Sequence, residues 1–254
     1  MEESRRTLYI GAHPDDVTIG ASIAINRNPE RSRVLTVSSG VALDQEWPVE
    51  VGEITFRSPS EYEGARLAED KAAMRILGID IDNNYFNGDI PDQQSYLYLE
   101  EIYKLINRLV DSNEIERIVT HSLPEAHPDH EVVSLCSHLV GQRKEIPILE
   151  YPLYVLGSDG KKIDQEFLEG DSEKVFILNY SPDEIAIRER VLSAYGTQGF
   201  VNNRFGRNSS ESFRLVSRDL GDMPLGTGYY YRDEPGLPTP ADVRTAMKNF
   251  EASL

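Results

Sequence analysis

The chain has 254 residues, of which 39% are hydrophobic and 27% are charged. This length and this balance fit a globular protein with a sizeable core, and they exclude a collagen, a coiled coil and a mostly disordered chain. Forty-three acidic residues against 26 basic ones give a formal net charge of −17. Nucleic acids and anionic membrane surfaces require concentrated positive charge, so we expect neither as a partner.

The cysteine content and the hydropathy indicate where the protein works. Cys136 is the single cysteine, so no disulfide can form within the chain, as expected in a reducing compartment. No apolar run approaches the ~18 residues of a transmembrane helix, and the polar N-terminus differs from a secretory signal. We therefore expect a cytoplasmic protein without a membrane span. No repeat or linker divides the chain, which predicts a single domain over residues 1–254.

The N-terminal part alternates strands and helices. A short apolar strand at 7–11 ends at a glycine, a helix follows at 17–25, and a second strand covers 33–38. This order is typical of the parallel unit of α/β proteins. The segment 41–59 has no clear periodicity and is too long for an ordinary connection, so we predict a loop over the functional site.

The alternation continues to the end of the chain. Ser60 is the predicted N-cap of a helix that ends at Leu77, just before Gly78. The prolines within the predicted strand at 146–154 favour an edge position in the sheet. Tyrosines 229–231 would line a pocket or lie in a strand. The other predicted elements are helices at 97–110, 131–140, 182–195 and 240–250, and strands at 115–120, 174–178 and 213–216.

Two loops concentrate histidine and aspartate. The sequence H-P-D-D at 13–16 follows the first strand, and H-P-D-H at 127–130 follows the strand at 115–120. The carboxyl ends of parallel strands form the ligand crevice of an open sheet, so the two loops are expected to meet. Imidazole and carboxylate are good zinc ligands, and the lack of cysteine in both loops argues against a structural zinc site. The alternative is that these side chains only hydrogen-bond the backbone.

The two motifs together resemble those of the PIG-L/LmbE-like family of zinc-dependent N-acetylglucosaminyl deacetylases. The pair G-A-H-P-D-D and H-P-D-H carries most of the resemblance, which spans roughly residues 8–216. Weaker matches to family elements are R-L-A-E at 66–69, Y-G-T-Q at 195–198 and E-S-F at 211–213.

The resemblance implies a fold and a reaction. The fold would be an α/β, Rossmann-like three-layer sandwich with a mostly parallel sheet, in a homo-oligomer. The reaction would remove the N-acetyl group from a GlcNAc-containing small molecule, with Zn²⁺ or another divalent metal as cofactor. The substrate would be a GlcNAc conjugate from thiol, antibiotic or glycolipid biosynthesis, or a chitin-derived disaccharide.

The resemblance also implies a role for each motif residue. His13, Asp16 and His130 would bind the metal. Asp15 would be the general base that activates the metal-bound water.

The remaining roles concern the leaving group and the substrate. His127 would stabilise the oxyanion or protonate the leaving amine, and Asp129 would orient and tune His127. Arg66 would contact the sugar. A family aspartate that touches sugar hydroxyls corresponds to Asn87, Asp89 or Asp92, and we assign Asp89.

One departure from the family motif leaves other functions open. Val17 and Thr18 stand where the family has a glutamate, which we interpret as a supporting residue rather than a chemical one. The alternatives are an amidase of a sugar–thiol conjugate on the same fold and a non-catalytic metal-binding member of the family. A nucleotide-binding protein is disfavoured, because the first turn lacks G-x-G-x-x-G and places acids where a pyrophosphate would bind.

Overall fold

The computed structural model describes residues 5–42, 45–156, 162–167, 175–199, 204–206, 208–216 and 238–254. The strands of this part are β1 (Thr7–Gly11), β2 (Ser32–Ala42), β3 (Val49–Val51), β4 (Ile54–Phe56), β5 (Tyr85–Asp92), β6 (Arg117–His121), β7 (Ile148–Tyr151), β8 (Tyr154–Leu156), β9 (Lys162–Asp164), β10 (Val175–Asn179) and β11 (Ser210–Leu215). The helices are α1 (Asp16–Asn26), α2 (Pro59–Ile76), α3 (Ile81–Asn84), α4 (Leu99–Ser112), α5 (Pro128–Lys144), α6 (Pro182–Leu192) and α7 (Pro240–Glu251).

A seven-stranded sheet with the order β10-β11-β7-β6-β1-β2-β5 forms the centre of the fold. Five neighbouring strands are mutually parallel: β7, β6, β1, β2 and β5. At one end of the sheet, β11 pairs antiparallel with β7, and β10 pairs antiparallel with β11. The predicted mostly parallel α/β sheet is therefore confirmed. Because β1 and β6 are parallel neighbours, the loops that follow them emerge side by side at one edge of the sheet.

Helices cover both faces of this sheet. Successive side chains of a strand point to opposite faces, so β1 contributes to two separate cores. Tyr9 packs into a buried cluster with residues of α1, α2 and α6, whereas Leu8 and Ile10 pack into a second cluster with α4, α5 and α7. The fold is thus the expected three-layer sandwich. No helix of the described residues is long and apolar enough to span a membrane.

Helix α1 begins at the last residue of the first motif, Asp16, and it is supported by a residue that is distant in sequence. Its backbone departs from helical geometry at Ala21 (φ −147°, ψ 19°). The buried carboxyl of Glu211 on β11 accepts hydrogen bonds from the amides of Ile23 and Ala24 at 2.7 and 3.0 Å. These amides follow the irregular residue, so Glu211 acts as a cap for the second half of α1. This contact explains the E-S-F element as a structural one.

Two local predictions were wrong. The 146–154 strand is not at an edge, since β7 lies between β6 and β11. Pro147 and Pro152 fall just outside β7, so neither proline removes a ladder hydrogen bond. The N-cap of α2 is Ser58 rather than Ser60, because Pro59 occupies the first helical position and Ser58 Oγ accepts from Glu61 N.

Two stretches contain strands that the sequence patterns missed. The 41–59 segment holds the end of β2 and the β3–β4 hairpin, with residues 43–44 outside the described part. Strand β5 pairs with β2 and was not predicted, because Gly88 and Pro91 interrupt its alternation. Tyrosines 229–231 also lie outside the described residues.

Alanine substitutions at two helical glycines, Gly20 and Gly64, should change the stability of the fold in opposite directions. A Cβ at Gly20 would lie 2.2 Å from Cδ2 of the buried Tyr151, whereas a Cβ at Gly64 meets nothing within 4 Å. We expect Gly20→Ala to destabilise the fold by about 1–3 kcal/mol through overpacking. Gly64→Ala should stabilise it by about 0.5–1 kcal/mol through helix propensity. Urea unfolding of both variants measures the difference, and equal shifts would contradict this packing of α1 on β7.

Candidate active site

A sharp turn between β1 and α1 presents the first motif. Asp15 has φ 105°, which is uncommon for a residue with a side chain and marks a backbone held by its surroundings. The amide of His13 donates to Oδ2 of Asp16 at 2.7 Å, and Nη2 of Arg66 donates to the Pro14 carbonyl at 2.9 Å. These bonds fix the turn from inside and from α2.

Three atoms from the two motifs form a compact triangle. His13 Nδ1 and His130 Nε2 each lie 3.4 Å from Asp16 Oδ2, and the two nitrogens are 3.3 Å apart. Tetrahedral zinc with bonds of about 2.0–2.1 Å separates its ligand atoms by about 3.3–3.4 Å. The residues therefore fit one face of a tetrahedral metal site, with a fourth position left for a reactant.

Other combinations of side chains near this triangle could also hold a metal. Among the described residues, three groups each have ligand atoms within 4.8 Å of one another. They are His13 with His127 and His130, His13 with Asp92, His127 and Asp129, and Asp16 with His121 and His130.

Carboxylates lie behind both histidines of the triangle. His13 Nε2 is 3.0 Å from Asp129 Oδ2 and 2.9 Å from Asp92 Oδ1, and His130 Nδ1 is 3.5 Å from Glu125 Oε2. Metal-binding histidines commonly direct their second ring nitrogen to such a carboxylate, which orients the ring. The remaining nitrogens, His13 Nδ1 and His130 Nε2, are the ones that face the common position.

His121, the last residue of β6, contacts the carboxylate of the triangle. Its Nε2 accepts from the Ala12 amide at 2.9 Å and lies 3.3 Å from Asp16 Oδ2, while its ring stacks on His130 at 3.9 Å. Although burial opposes it, His130 and His121 hold the pKa of Asp16 well below its usual range. Asp16 therefore remains an anion, as a metal ligand must.

The carboxylate of Asp129 has an oxygen within 4.8 Å of a ring nitrogen of both His13 and His127. It accepts from the amides of Gln93 and Ser95 at 2.6 and 3.1 Å, in addition to its contact with His13. Its hydrogen bond with His127 runs through the backbone, since Asp129 N donates to His127 Nδ1 at 3.2 Å. A neutral His127 with Nδ1 as acceptor carries its proton on Nε2.

The environments of His127 and Asp15 shift their pKa values in opposite directions. Burial, together with the nearby His13, lowers the pKa of His127 to about 4, so its ring is neutral at pH 7. Burial raises the pKa of Asp15 to about 8, against the opposing effect of Arg66, whose Nη2 lies 3.8 Å from Asp15 Oδ2. A carboxyl that titrates near neutrality can both take up and release a proton.

The predicted substrate residues lie at different depths. Arg66 is buried, and it donates to the carbonyls of Pro14 and Gly40. Asp89 is exposed in the middle of β5, whereas Asp92 at the carboxyl end of β5 contacts His13. The rule that sites form at the carboxyl ends of strands would have selected Asp92 if β5 had been predicted.

The fold and the site together define a class of protein. A parallel α/β sandwich with a buried His/Asp group able to hold a metal, at the carboxyl edge of its sheet, is typical of a hydrolase. The profile of one family, PIG-L (GlcNAc-PI de-N-acetylase), matches residues 8–139, just over half of the chain. The chain belongs to this family of hydrolytic N-deacetylases. No curated protein matches its sequence.

Solved structures share the fold at low sequence identity. The zinc-inhibited form of teicoplanin deacetylase Orf2 has a TM-score of 0.65 at 16% identity, over 85% of this chain and 99% of that chain. The 4-carboxy-2-hydroxymuconate hydratase GalB from Pseudomonas putida KT2440 has a TM-score of 0.58 at 14% identity, with the same coverage. N,N'-diacetylchitobiose deacetylase from Pyrococcus horikoshii has a TM-score of 0.53 at 15% identity, over 84% of this chain and 85% of that chain.

Metal binding can be tested with the same chemical change at two aspartates. We expect Asp16→Asn to weaken Zn²⁺ binding by more than about 100-fold, beyond the effect of a residue that only orients a ligand. Asp89→Asn, on the exposed part of β5, should leave the affinity unchanged. Competition with a chromophoric chelator measures both, and circular dichroism without metal shows that each variant folds. Wild-type affinity in Asp16→Asn would contradict this ligand set.

Proposed function

We propose that the protein is a zinc-dependent N-deacetylase that removes the acetyl group from a GlcNAc-containing small molecule. The observation that carries this proposal is the triangle of His13 Nδ1, Asp16 Oδ2 and His130 Nε2, with sides of 3.3–3.4 Å. The family description supports an N-acetylglucosaminyl substrate. Two structural neighbours, a teicoplanin deacetylase and an N,N'-diacetylchitobiose deacetylase, support deacetylation as the reaction.

Each catalytic assignment follows from the surroundings of the residue. Zinc held by the triangle would polarise the amide carbonyl and make a water molecule more acidic. Asp15 accepts the proton of the attacking water and returns it to the nitrogen when the C–N bond breaks, which yields acetate and a free amine. His127 donates Nε2–H to the carbonyl oxygen as negative charge develops there.

The contacts of Arg66 support a second role besides substrate binding. Its guanidinium holds the Pro14 carbonyl at 2.9 Å and faces Asp15, so it supports the turn that carries the base. Its Nε is buried and has no hydrogen-bond partner among the described residues. Its assignment as a substrate contact stays a prediction, as do the cytoplasmic location and the homo-oligomer.

The reaction is tested by acetate release from free GlcNAc, diacetylchitobiose and a GlcNAc–inositol conjugate. We expect the zinc-loaded protein to release acetate from at least one of them. Asp15→Asn should lower kcat by about 10²–10⁴-fold, because it removes a positioned general base. The variant should retain one zinc ion per chain.

Two other results would change the assignment. Zinc binding without acetate release from any of the three compounds would contradict the proposed substrate class and favour another amide or a non-catalytic protein. Undiminished release by Asp15→Asn would contradict the role of Asp15 as the base.

The two aspartates of β5 give a separate test of substrate binding. Asp92 contacts His13, so we expect Asp92→Asn to lower kcat/KM by about 10-fold or more. Asp89→Asn should change kcat/KM less than twofold if the exposed carboxylate does not reach the substrate. Steady-state kinetics on the best of the three compounds measure both. A larger loss in Asp89→Asn would support the assignment made from the sequence.

A further inference from the structure

A chain of buried hydroxyl groups connects the first motif to helix α2. The hydroxyl of Thr18 shares its proton between two acceptors, the Asp15 carbonyl at 2.6 Å and the hydroxyl oxygen of Tyr195 at 3.1 Å. Tyr195 in turn donates to Oδ1 of Asp70 at 2.7 Å. Thr18, Tyr195 and Asp70 are all at most 3% exposed, so water does not compete for these bonds.

We infer that Tyr195 is a positioning residue: with Thr18 and Asp70 it holds the strained turn on which Asp15 stands. The inference deepens the proposed function and rests on it for the role of Asp15. Tyr195 does not touch the predicted reacting groups, so it would act only through the backbone of the turn. In this inference Tyr195 is neither a metal ligand nor a substrate contact.

The conformation of Asp15 requires such support. A residue with a side chain keeps φ near 105° only where its surroundings determine the backbone. The Asp15 carbonyl accepts from Ile19 N at 2.9 Å and from Thr18 Oγ1 at 2.6 Å, so both bonds act on the peptide that joins the base to Asp16. A shift of this peptide would move the base and a metal ligand together.

Asp70 is a fixed anchor for this chain. Its Oδ2 accepts from Thr36 of β2 at 2.9 Å and from Tyr85 of β5 at 2.7 Å, and its Oδ1 accepts from Tyr195. One carboxyl therefore ties α2 to two sheet strands and to the residue that contacts Thr18. The anchor belongs to the rigid part of the fold rather than to the turn.

The two weaker sequence motifs hold Tyr195 in place. Glu69 of R-L-A-E accepts from the amide and the hydroxyl of Thr197 in Y-G-T-Q, at 2.8 and 2.6 Å. The element that carries Tyr195 is thereby fixed to α2 next to Asp70. The hydroxyl of Thr18 thus supplies an anchor at one of the two positions where the family has a glutamate.

Tyr85 offers a matched control for Tyr195. Both phenols are buried and both donate to Asp70 at 2.7 Å, but of the two only Tyr195 lies against Thr18 in the described contacts. If Tyr195 only stabilised Asp70, Tyr195→Phe and Tyr85→Phe would have the same consequences. If Tyr195 positions the turn, only Tyr195→Phe should alter the site.

The experiment compares Tyr195→Phe, Tyr85→Phe, Thr18→Val and Thr18→Ser. Zn²⁺ affinity is measured by chelator competition, kcat and KM by acetate release, and stability by thermal unfolding without metal. We expect Tyr195→Phe and Thr18→Val to weaken Zn²⁺ binding about 10-fold, as for residues that orient a metal ligand. They should also lower kcat about 10-fold with KM within about twofold, because the base is displaced but the substrate contacts remain.

The control variants define the outcome that would overturn the inference. Tyr85→Phe should lose about as much thermal stability as Tyr195→Phe yet keep wild-type Zn²⁺ affinity, and Thr18→Ser should recover most of what Thr18→Val loses. Equal Zn²⁺ affinities in the two tyrosine variants, or no recovery in Thr18→Ser, would overturn the inference. If Tyr195→Phe does not fold, the comparison of Thr18→Val with Thr18→Ser tests the inference instead. If the wild type releases no acetate, the proposed function is contradicted but the inference about Tyr195 is not, because Zn²⁺ affinity is measured without substrate.

Discussion

Oδ2 of Asp16 lies 3.3–3.4 Å from a nitrogen of each of three buried histidines, His13, His121 and His130. An uncompensated buried charge is strongly destabilising. The His13 amide donates to this oxygen at 2.7 Å, and a cation held among the three rings would supply the opposite charge. The three rings come from different places: the turn after β1, the end of β6 and the first turn of α5. The site therefore exists only if these three elements meet at one edge of the sheet. The parallel pairing of β1 with β6 provides that meeting.

Several distant residues act on this centre through α1 and the turn before it. Glu211 caps the second half of α1, Arg66 holds the Pro14 carbonyl, and Asp70 supports Thr18 through Tyr195. None of these contacts involves the metal triangle itself. The later sequence motifs thus supply hydrogen bonds that hold the backbone of the first motif and of α1. A buried polar network of this kind is effective only when each member is satisfied, and here two hydroxyl groups, of Thr18 and Tyr195, lie between the Asp15 carbonyl and the Asp70 carboxyl.

The sequence predicted the parts of the site that depend on local patterns. A buried strand followed by H-P-D-D, and a second strand followed by H-P-D-H, are signals within short windows, and the sheet rule brings them together. Strand β5 lacked such a signal, because Gly88 is required where a Cβ would lie 2.3 Å from the Val37 carbonyl. That constraint comes from the neighbouring strand, so the sequence alone could not show that Asp92 lies beside His13. Spacing also could not show that the Asp129 carboxylate points to His13.

The fold alone does not select the reaction, since deacetylases and a hydratase share it. Under the proposed function, the environment of Asp15 is the feature that suits amide hydrolysis. An amine leaves poorly unless its nitrogen is protonated, so the group that accepts the proton of water must also return it. A carboxyl at its ordinary pKa is almost fully ionised at pH 7, whereas burial raises the pKa of Asp15 to about 8, so this carboxyl can hold a proton near neutral pH. Burial has this effect only while the strained turn holds the side chain inside the site. The conformation of the turn therefore determines the pKa of the proposed base. The hydrogen bonds from Arg66 and Thr18 to the turn hold this conformation.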